Sequence, residues 1–226
     1  MPKIISKSSL AIVLSGLKGF ESPKVRQEQY ATDSEVAATV LWNAHLLGDI
    51  EQKVIADLGC GTGILGIGTL LLGAKKVYFV DSDENALETA RTNISKILTD
   101  FRDARQSKIF DILKVKSESY EFGKAEFIWQ DIRLVKLKAE VIIQNPPFGT
   151  KVKHNDIIFL KKAMEIGDVV YSFHKSESKV FLERFAAKRN AKITHIWGFK
   201  FPLKASYEFH RRQILRIDVS CFRFEK

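Results

Sequence analysis

Short runs rich in β-branched and aromatic residues alternate with stretches of helical periodicity along almost the whole chain. The strand-like runs cover residues 53–58, 76–81, 126–130, 140–144, 168–172, 193–199 and 213–222. The helical patterns cover residues 8–17, 34–47, 64–72, 84–98, 157–166 and 179–189. Strands that alternate with helices pack as parallel neighbours joined by right-handed crossovers. Since no helix separates the last two strands, the pattern predicts an α/β fold with a seven-stranded, mostly parallel sheet that ends in an antiparallel pair.

The chain of 226 residues has the length of one α/β domain. We therefore expect a single domain over residues 1–226, with an insertion at 99–123. That segment is long and charged for a connection between a helix and a strand, which is typical of a functional loop or of an ornamental surface insertion. The apolar stretch 8–17 is too short to span a bilayer, so we expect an N-terminal helix there and no membrane segment.

The formal net charge of the chain is +9. Such a charge favours an anionic partner, nucleic acid above all, over a basic surface with no specific role. The two cysteines, Cys60 and Cys221, lack metal-ligand spacing and are too few for a disulfide framework, so no metal site is expected. A reducing cytoplasm is the simplest location for such a chain.

A glycine-rich turn joins the first predicted strand to the next helix, in the order Asp57-Leu58-Gly59-Cys60-Gly61-Thr62-Gly63. Glycine permits a tight turn and lets a ligand approach the backbone closely. The ligands of open α/β sheets bind at this carboxyl end of the strands. Gly61, Gly63 and Gly66 also fit the dinucleotide pattern G-x-G-x-x-G, with Asp81 about 20 residues further on, so a nicotinamide or flavin oxidoreductase is an alternative.

Asp57 stands at the mouth of this loop and favours a cofactor without phosphate. A carboxylate there would repel a pyrophosphate. The same charge suits the ammonium and sulfonium groups of S-adenosylmethionine, which is therefore the expected cofactor.

Further acids follow the second and third predicted strands. Asp81 can accept hydrogen bonds from both hydroxyls of a ribose. Asp83 is more simply explained as the N-cap of the next helix. Asp131 can accept from an adenine amino group, with Ile132 or Ile64 against the ring, or it is an ordinary strand-end aspartate.

The fourth predicted strand runs directly into Asn145-Pro146-Pro147-Phe148. The two prolines fix φ and remove two backbone donors, which leaves carbonyl oxygens and the Asn145 side chain as acceptors. Two rigid acceptors match the two hydrogens of a planar amino group, whose delocalised lone pair is a poor nucleophile. Hydrogen bonds to Asn145 Oδ1 and the Pro146 carbonyl would favour a pyramidal nitrogen aligned with the methyl group, while Phe148 offers a face to a flat ring. An ordinary Pro-Pro turn at a strand end is the alternative.

The glycine loop and residues 145–148, called here the Asn-Pro-Pro-Phe strip, together resemble the amino-methyltransferases of the class I Rossmann-like fold. Over a wider part of its length, the chain is similar to the methyltransferase-like protein 5 family, which contains ribosomal RNA N6-adenine methyltransferases. The matching stretches are residues 28–32, 56–61, 145–150, 171–175 and 205–210, and the resemblance runs from about residue 19 to the C-terminus. This chain has Thr62 where a second cysteine is expected and Ala31 where proline is expected, and its segment 99–123 is longer than expected.

The resemblance implies a role for each matching residue. Residues 1–33 would form an N-terminal helix and a segment that covers the cofactor, with Gln29 and Thr32 at its methionine end. Gly59, Gly61, Thr62 and Ile64 would line the cofactor loop. Asp81 would bind the ribose and Asp131 the adenine. Asn145, Pro146 and Phe148 would receive the target base. The resemblance also implies a small zinc-binding activator protein as partner, joined along a sheet edge.

Cationic residues cluster after the strip, after the fifth strand and near the terminal strand pair, with aromatic residues between them. Cations and rings together suit single-stranded RNA, because phosphates supply affinity and bases stack on rings. The expected RNA-binding residues are Lys151, Lys153, His174, Lys175, Lys204, His210 and Arg211. His174 has a second interpretation as a buried structural histidine.

These features favour an RNA N6-adenine methyltransferase that acts on ribosomal RNA. A protein glutamine N5-methyltransferase is an alternative, because an amide NH2 satisfies the same two acceptors. Phe148, where tyrosine would be more familiar, and the basic residues argue against it. A DNA adenine methyltransferase is a third possibility, although one small domain leaves little room for a target-recognition module. A non-catalytic RNA-binding protein would show losses in the loop or the strip, and none is evident.

Overall fold

The structure, a computed structural model, describes residues 6–21, 23–24, 29, 32–102, 122–148, 155–203 and 215–226. Its strands are β1 (Val54–Leu58), β2 (Lys76–Asp81), β3 (Lys124–Trp129), β4 (Val141–Gln144), β5 (Val169–Lys175), β6 (Lys192–Leu203) and β7 (Leu215–Glu225). Its α-helices are α1 (Lys7–Ser15), α2 (Ser34–Leu46), α3 (Ile64–Leu71), α4 (Glu84–Arg102), α5 (Asn155–Ile166) and α6 (Lys179–Ala187). Short 3-10 helices lie at Ile132–Leu134 and Ser176–Ser178.

The strands form one seven-stranded sheet in the order β3-β2-β1-β4-β5-β7-β6. Strands β1 to β5 are parallel, and β7 lies antiparallel between β5 and β6. This confirms the predicted mixed sheet with an antiparallel terminal pair. The strand order reverses between β1 and β4, where open α/β sheets bind their ligands. The turns after these two neighbouring strands carry the glycine loop and the Asn-Pro-Pro-Phe strip.

Helices cover both faces of the sheet. Side chains of β1 and β4 alternate between two apolar clusters, with Ile55 and Ile143 in one and Ala56 and Ile142 in the other. The first cluster includes residues of α1 to α4, and the second includes residues of α5 and α6. Because both faces of the central strands are buried, their sequences are mostly apolar and lack polar alternation, and their polar residues Asp57 and Gln144 are buried as well.

Several elements are longer than their predicted spans. Strand β5 continues to Lys175 because residues 173–175 pair with Val219–Cys221 of β7 in antiparallel register. Helix α4 continues to Arg102 and takes up the start of the predicted 99–123 insertion, whose residues 103–121 lie outside the described part of the chain. Within the described ranges, the helices are all too short or too polar to cross a bilayer.

Candidate active site

The glycine loop after β1 has a backbone that glycine adopts far more readily than other residues. φ is +66° at Gly59, +53° at Gly61 and +87° at Gly63, all in the left-handed region. A Cβ at Gly59 would lie 2.9 Å from Cε1 of Phe159, and one at Gly61 would lie 2.7 Å from Cζ of Phe20. Bare backbone therefore faces two aromatic rings, neither of which the sequence motifs had pointed to.

Asp57 lies beneath this loop, so the expectation that it stands at the loop mouth is wrong. Its side chain is 1% exposed, and its Oδ2 accepts a hydrogen bond from the backbone N–H of Gly66 at 2.7 Å. Gly63, the N-cap of α3, has no side chain to accept this N–H, and Asp57 takes that role. Burial raises the pKa of Asp57 to about 7. Asp57 therefore holds the loop onto α3 and does not present a fixed charge to solvent.

Asp81 ends β2 and reaches the loop from the neighbouring strand. Its Oδ2 accepts from Gly61 N at 2.8 Å, and its Oδ1 accepts from Asp83 N at 2.9 Å. Burial raises the pKa of Asp81. Each carboxylate oxygen retains a lone pair, so two ribose hydroxyls can still bind. Asp83 Oδ1 accepts from the N–H of Asn85 at 3.2 Å, which confirms the predicted N-cap of α4.

The N-terminal segment is attached to these acids. Gln29 donates from Nε2 to Asp83 Oδ2 at 2.7 Å, and the Lys24 ammonium pairs with Asp83 Oδ1 at 2.9 Å. These two contacts lower the pKa of Asp83 against the opposing effect of its partial burial. The structure thus places Gln29 beside the acids that follow β2.

Asn93 is a site residue that the motifs did not reveal. It lies on α4 with no exposed surface. Its Nδ2 donates to the carbonyls of Thr62 and Lys18, both at 3.0 Å, and its Oδ1 accepts from Lys18 N at 2.8 Å. This residue ties the segment that carries Phe20 to the glycine loop. An asparagine on the apolar face of an amphipathic helix was the available signal, because buried amides require partners.

Asn145, directly after β4, contacts Thr32, which lies near the C-terminal end of the N-terminal segment. Its Nδ2 donates to Thr32 Oγ1 at 2.9 Å, and Thr32 is 7% exposed. Among the residues that the structure describes, Asn145 Oδ1 finds no hydrogen-bond donor, although solvent barely reaches it. A shielded acceptor without a donor is costly, so this oxygen is set up to receive one from a bound molecule.

Phe148 is buried in this structure. It is 6% exposed, and its ring forms a T-shaped pair with that of Phe201, with ring centroids 6.3 Å apart and an interplanar angle of 89°. Pro146 is also buried and Pro147 is half-buried. The face that the sequence suggests for a target base is therefore covered by its own aromatic neighbourhood.

The residues expected at the adenine end of the cofactor lie after β3. Asp131 Oδ1 accepts from both N and Nε of Arg133 at 2.9 Å, and these contacts lower the pKa of Asp131 to about 2. Its carboxylate is therefore ionised and partly exposed. Ile132 is 9% exposed within the core, and Ile64 is half-buried at the first turn of α3.

His174 is buried, so its predicted contact with RNA is wrong and its second interpretation as a structural histidine is confirmed. It has no exposed surface. Gln144 donates to Ser172 Oγ at 2.9 Å, Ser172 Oγ lies 2.7 Å from His174 Nε2, and His174 Nδ1 lies 3.2 Å from Asp156 Oδ2. A carboxylate can only accept, so Nδ1–H donates to Asp156, and in the neutral imidazole Nε2 is left to accept from the Ser172 hydroxyl. This chain of contacts begins at Gln144, the residue before the strip, and so anchors the end of β4 to β5.

Of the other predicted RNA-binding residues, Lys175 is half-buried at the carboxyl end of β5, on the same sheet edge as the strip. The remaining ones lie outside the described residues: Lys151, Lys153, Lys204, His210 and Arg211.

Comparison with known proteins identifies related sequences. Residues 41–120 match the model of the ribosomal protein L11 methyltransferase (PrmA) family. The rRNA N(6)-adenosine-methyltransferase METTL5 of Danio rerio is 34% identical over 216 residues, which cover 93% of this chain and 94% of that protein. An uncharacterised protein of Methanocaldococcus jannaschii is 38% identical over 223 residues, which cover 99% of this chain and 95% of that protein.

Solved structures agree with these matches. The crystal structure of PH1948 from Pyrococcus horikoshii, a candidate RNA methyltransferase, superposes with a TM-score of 0.80 at 39% identity and covers 97% of both chains. Magnesium protoporphyrin IX methyltransferase from Synechocystis, solved with bound S-adenosylmethionine, superposes with a TM-score of 0.58 at 12% identity, over 85% of this chain and 79% of that one. The second likeness extends to the fold alone.

Proposed function

Because the chain belongs to the METTL5 family of rRNA N6-adenosine methyltransferases, we propose that it methylates N6 of an adenine in ribosomal RNA. The chain is an S-adenosylmethionine-dependent methyltransferase, and its substrate is RNA. The observation that carries the finer proposal is the shielded, unpaired Oδ1 of Asn145 at the carboxyl end of β4. The amino group of an adenine can supply the donor hydrogen that such an acceptor needs.

The residues around the glycine loop fit S-adenosylmethionine. We assign Asp81 to the ribose hydroxyls, Asp131 to the adenine and Gln29, in the N-terminal segment, to the methionine end of the cofactor. Gly59 and Gly61 have left-handed φ and no side chain, which lets a ligand approach the loop backbone closely. The rings of Phe159 and Phe20, which now lie against these glycines, border the space that the cofactor would enter. When bound, the cofactor supplies an electrophilic methyl group on a sulfonium centre. The other residues assigned to this site are Thr62 and Ile64 of the loop and Ile132 after β3, while Asp57 supports the loop from beneath.

The strip prepares the target nitrogen. Asn145 Oδ1 and the Pro146 carbonyl accept the two N6 hydrogens, which draws the nitrogen lone pair out of conjugation with the purine ring. Pro146 and Pro147 have fixed φ, so the Pro146 carbonyl loses little freedom when the base arrives. The strip therefore activates and orients the amino group, and no side chain is needed as a strong general base.

Phe148 is assigned to the purine ring. Its ring already packs edge-on with Phe201, so a base that stacks on Phe148 must replace part of that packing. Unstacking the adenine from its neighbours costs a few kcal/mol, which favours single-stranded or flexible sites in the RNA.

A protein substrate receives less support. The match to the ribosomal protein L11 methyltransferase family spans residues 41–120 and ends before the strip. It therefore covers the cofactor loop and its flanking helices, which methyltransferases of different substrates share. The strip at residues 145–148, where the substrates would differ, lies in the full-length match to the rRNA enzymes. DNA remains an outcome to be tested alongside RNA.

We also propose that a small zinc-binding activator protein joins the chain along a sheet edge. The two edge strands are β3 and β6. Strand β3 has alternately exposed side chains and ends at Trp129, which is 63% exposed. An exposed edge strand with a large exposed ring suits pairing with another chain. The buried, free thiols of Cys60 and Cys221 fit the proposed cytoplasmic location.

The proposed function is tested with Asn145→Ala. We expect wild-type protein, with its activator if one is required, to form N6-methyladenosine in unmodified ribosomal RNA, as measured by nucleoside mass spectrometry. Loss of one transition-state acceptor should lower kcat by about 100-fold or more. Asn43→Ala, which removes an asparagine from α2 away from the strip, is the matched control. Unchanged kcat in Asn145→Ala, or label transferred only to protein or DNA, would refute the proposal.

A further inference from the structure

Thr32 and Asn145 are 113 residues apart in the chain and are joined by a shielded side-chain hydrogen bond. Asn145 Nδ2 donates to Thr32 Oγ1 at 2.9 Å. The same amide group carries the unpaired acceptor Oδ1. The two halves of this amide thus differ: the nitrogen is attached to the protein and the oxygen is left for a ligand.

Such an attachment matters because the χ2 torsion of asparagine is broad. Rotation about the bond to the amide moves Oδ1 along an arc, and a half-turn would replace the acceptor with two N–H donors. Those donors would face the donor hydrogens of a target amino group. A hydrogen bond to Nδ2 restricts the amide plane and so restricts where Oδ1 lies.

Thr32 directly precedes a capped and packed helix. The next residue, Asp33, is the N-cap of α2, and its Oδ1 accepts from Glu35 N at 2.9 Å and Val36 N at 3.2 Å. Ala37 and Leu41 of that helix are fully buried. The backbone of Thr32 is therefore attached to the start of a capped, packed helix, from which its hydroxyl reaches the Asn145 amide.

We propose that Thr32 is a positioning residue for methyl transfer: its hydroxyl fixes the amide plane of Asn145 so that Oδ1 faces the target amino group. The proposal rests on the proposed function, since it assigns Thr32 to the reaction through Asn145. It differs from the role at the methionine end of the cofactor that the family resemblance implies. A cofactor contact would affect S-adenosylmethionine affinity, whereas positioning would affect kcat.

The first test is kinetic and uses Thr32→Val, which keeps the shape of threonine and removes its oxygen. We expect kcat with saturating RNA and S-adenosylmethionine to fall about tenfold, the effect of one net hydrogen bond. The Kd for S-adenosylmethionine, measured by calorimetry, should stay within about twofold. Thr32→Ser should restore kcat, and Thr39→Val, on helix α2 that follows Thr32, should not lower it. A loss of cofactor affinity with unchanged kcat would overturn the proposal.

The second test separates this inference from the proposed function, because its readout does not depend on activity. Exchange of the Asn145 side-chain amide protons is measured by NMR, with the signal assigned from its disappearance in Asn145→Ala. Thr32→Val should accelerate this exchange about tenfold or shift the signal, and Thr39→Val should not. An unchanged Asn145 signal would refute the contact. An accelerated exchange in a protein that methylates no RNA would uphold the contact and refute the proposed function.

A double-mutant cycle completes the design. If Thr32 acts through Asn145, then Thr32→Val should lower kcat about tenfold in the wild-type background and have no further effect in Asn145→Ala. Independent, multiplicative losses would show that Thr32 acts elsewhere.

Discussion

Asp57 has an unusually high pKa for a carboxyl group. Burial raises its pKa to about 7, and the hydrogen bond from Gly66 opposes that shift only in part. An aspartate in an unfolded chain titrates at about 3.9. The neutral form of Asp57 is therefore favoured by the folded protein, and ionisation between these two values weakens the fold.

We expect this group to make the protein less stable as the pH rises from about 4 to about 7. Its favourable contribution is complete below the unfolded pKa and is lost as the pH passes the folded pKa. Urea denaturation of the wild type and of Asp57→Asn, compared at several pH values, isolates this contribution. The difference between their free energies of unfolding should change by on the order of 2–4 kcal/mol across that range. A pH-independent difference would contradict the raised pKa.

A buried ion pair joins three elements of the fold at the end of the sheet opposite β3. Arg223 of β7 donates from Nε to Asp49 Oδ2 at 2.7 Å, and Tyr171 of β5 donates to the same oxygen at 2.5 Å. Asp49 follows α2, and the side chains of Arg223 and Asp49 are 8% and 11% exposed. The pair therefore attaches the C-terminal end of α2, the helix that follows Thr32, to the two strands β5 and β7.

Arg223→Met should destabilise the protein by about 3–5 kcal/mol, because it leaves the Asp49 carboxylate buried without its cation. Lys200→Met is the matched control on the adjacent strand, since its partner Asp218 and Lys200 itself are 65% and 69% exposed. An exposed pair contributes at most about 1 kcal/mol. Chemical denaturation measures both values, and similar losses in the two variants would refute the distinction.

Across the whole molecule, the features predicted correctly are those that are local in sequence. Periodicity identified the strands, and the glycine loop and the strip are contiguous motifs. Contacts between distant segments, such as Asn93 with Lys18, depend on tertiary geometry that no motif records. His174 was misassigned as an RNA contact because the fifth strand was predicted to end at residue 172, which would place His174 on the rim beyond it, whereas β5 continues to Lys175. Helices cover both faces of that strand, so neither set of its side chains points to solvent.

The net charge of +9 should make RNA binding depend on salt, and the dependence can be assigned to one sheet edge. Lys175 lies where β5 ends beside the strip, whereas the exposed Lys138 precedes β4 and so lies at the opposite edge. If single-stranded RNA crosses the strip edge, Lys175→Ala should reduce the slope of log K against log salt by about 0.7, the value for one phosphate contact. Lys138→Ala should leave the slope unchanged.

Fluorescence anisotropy of a labelled ribosomal RNA fragment at several KCl concentrations gives both slopes. An equal change in both variants would indicate that the charge acts as a general field and that RNA has no fixed path across the strip edge.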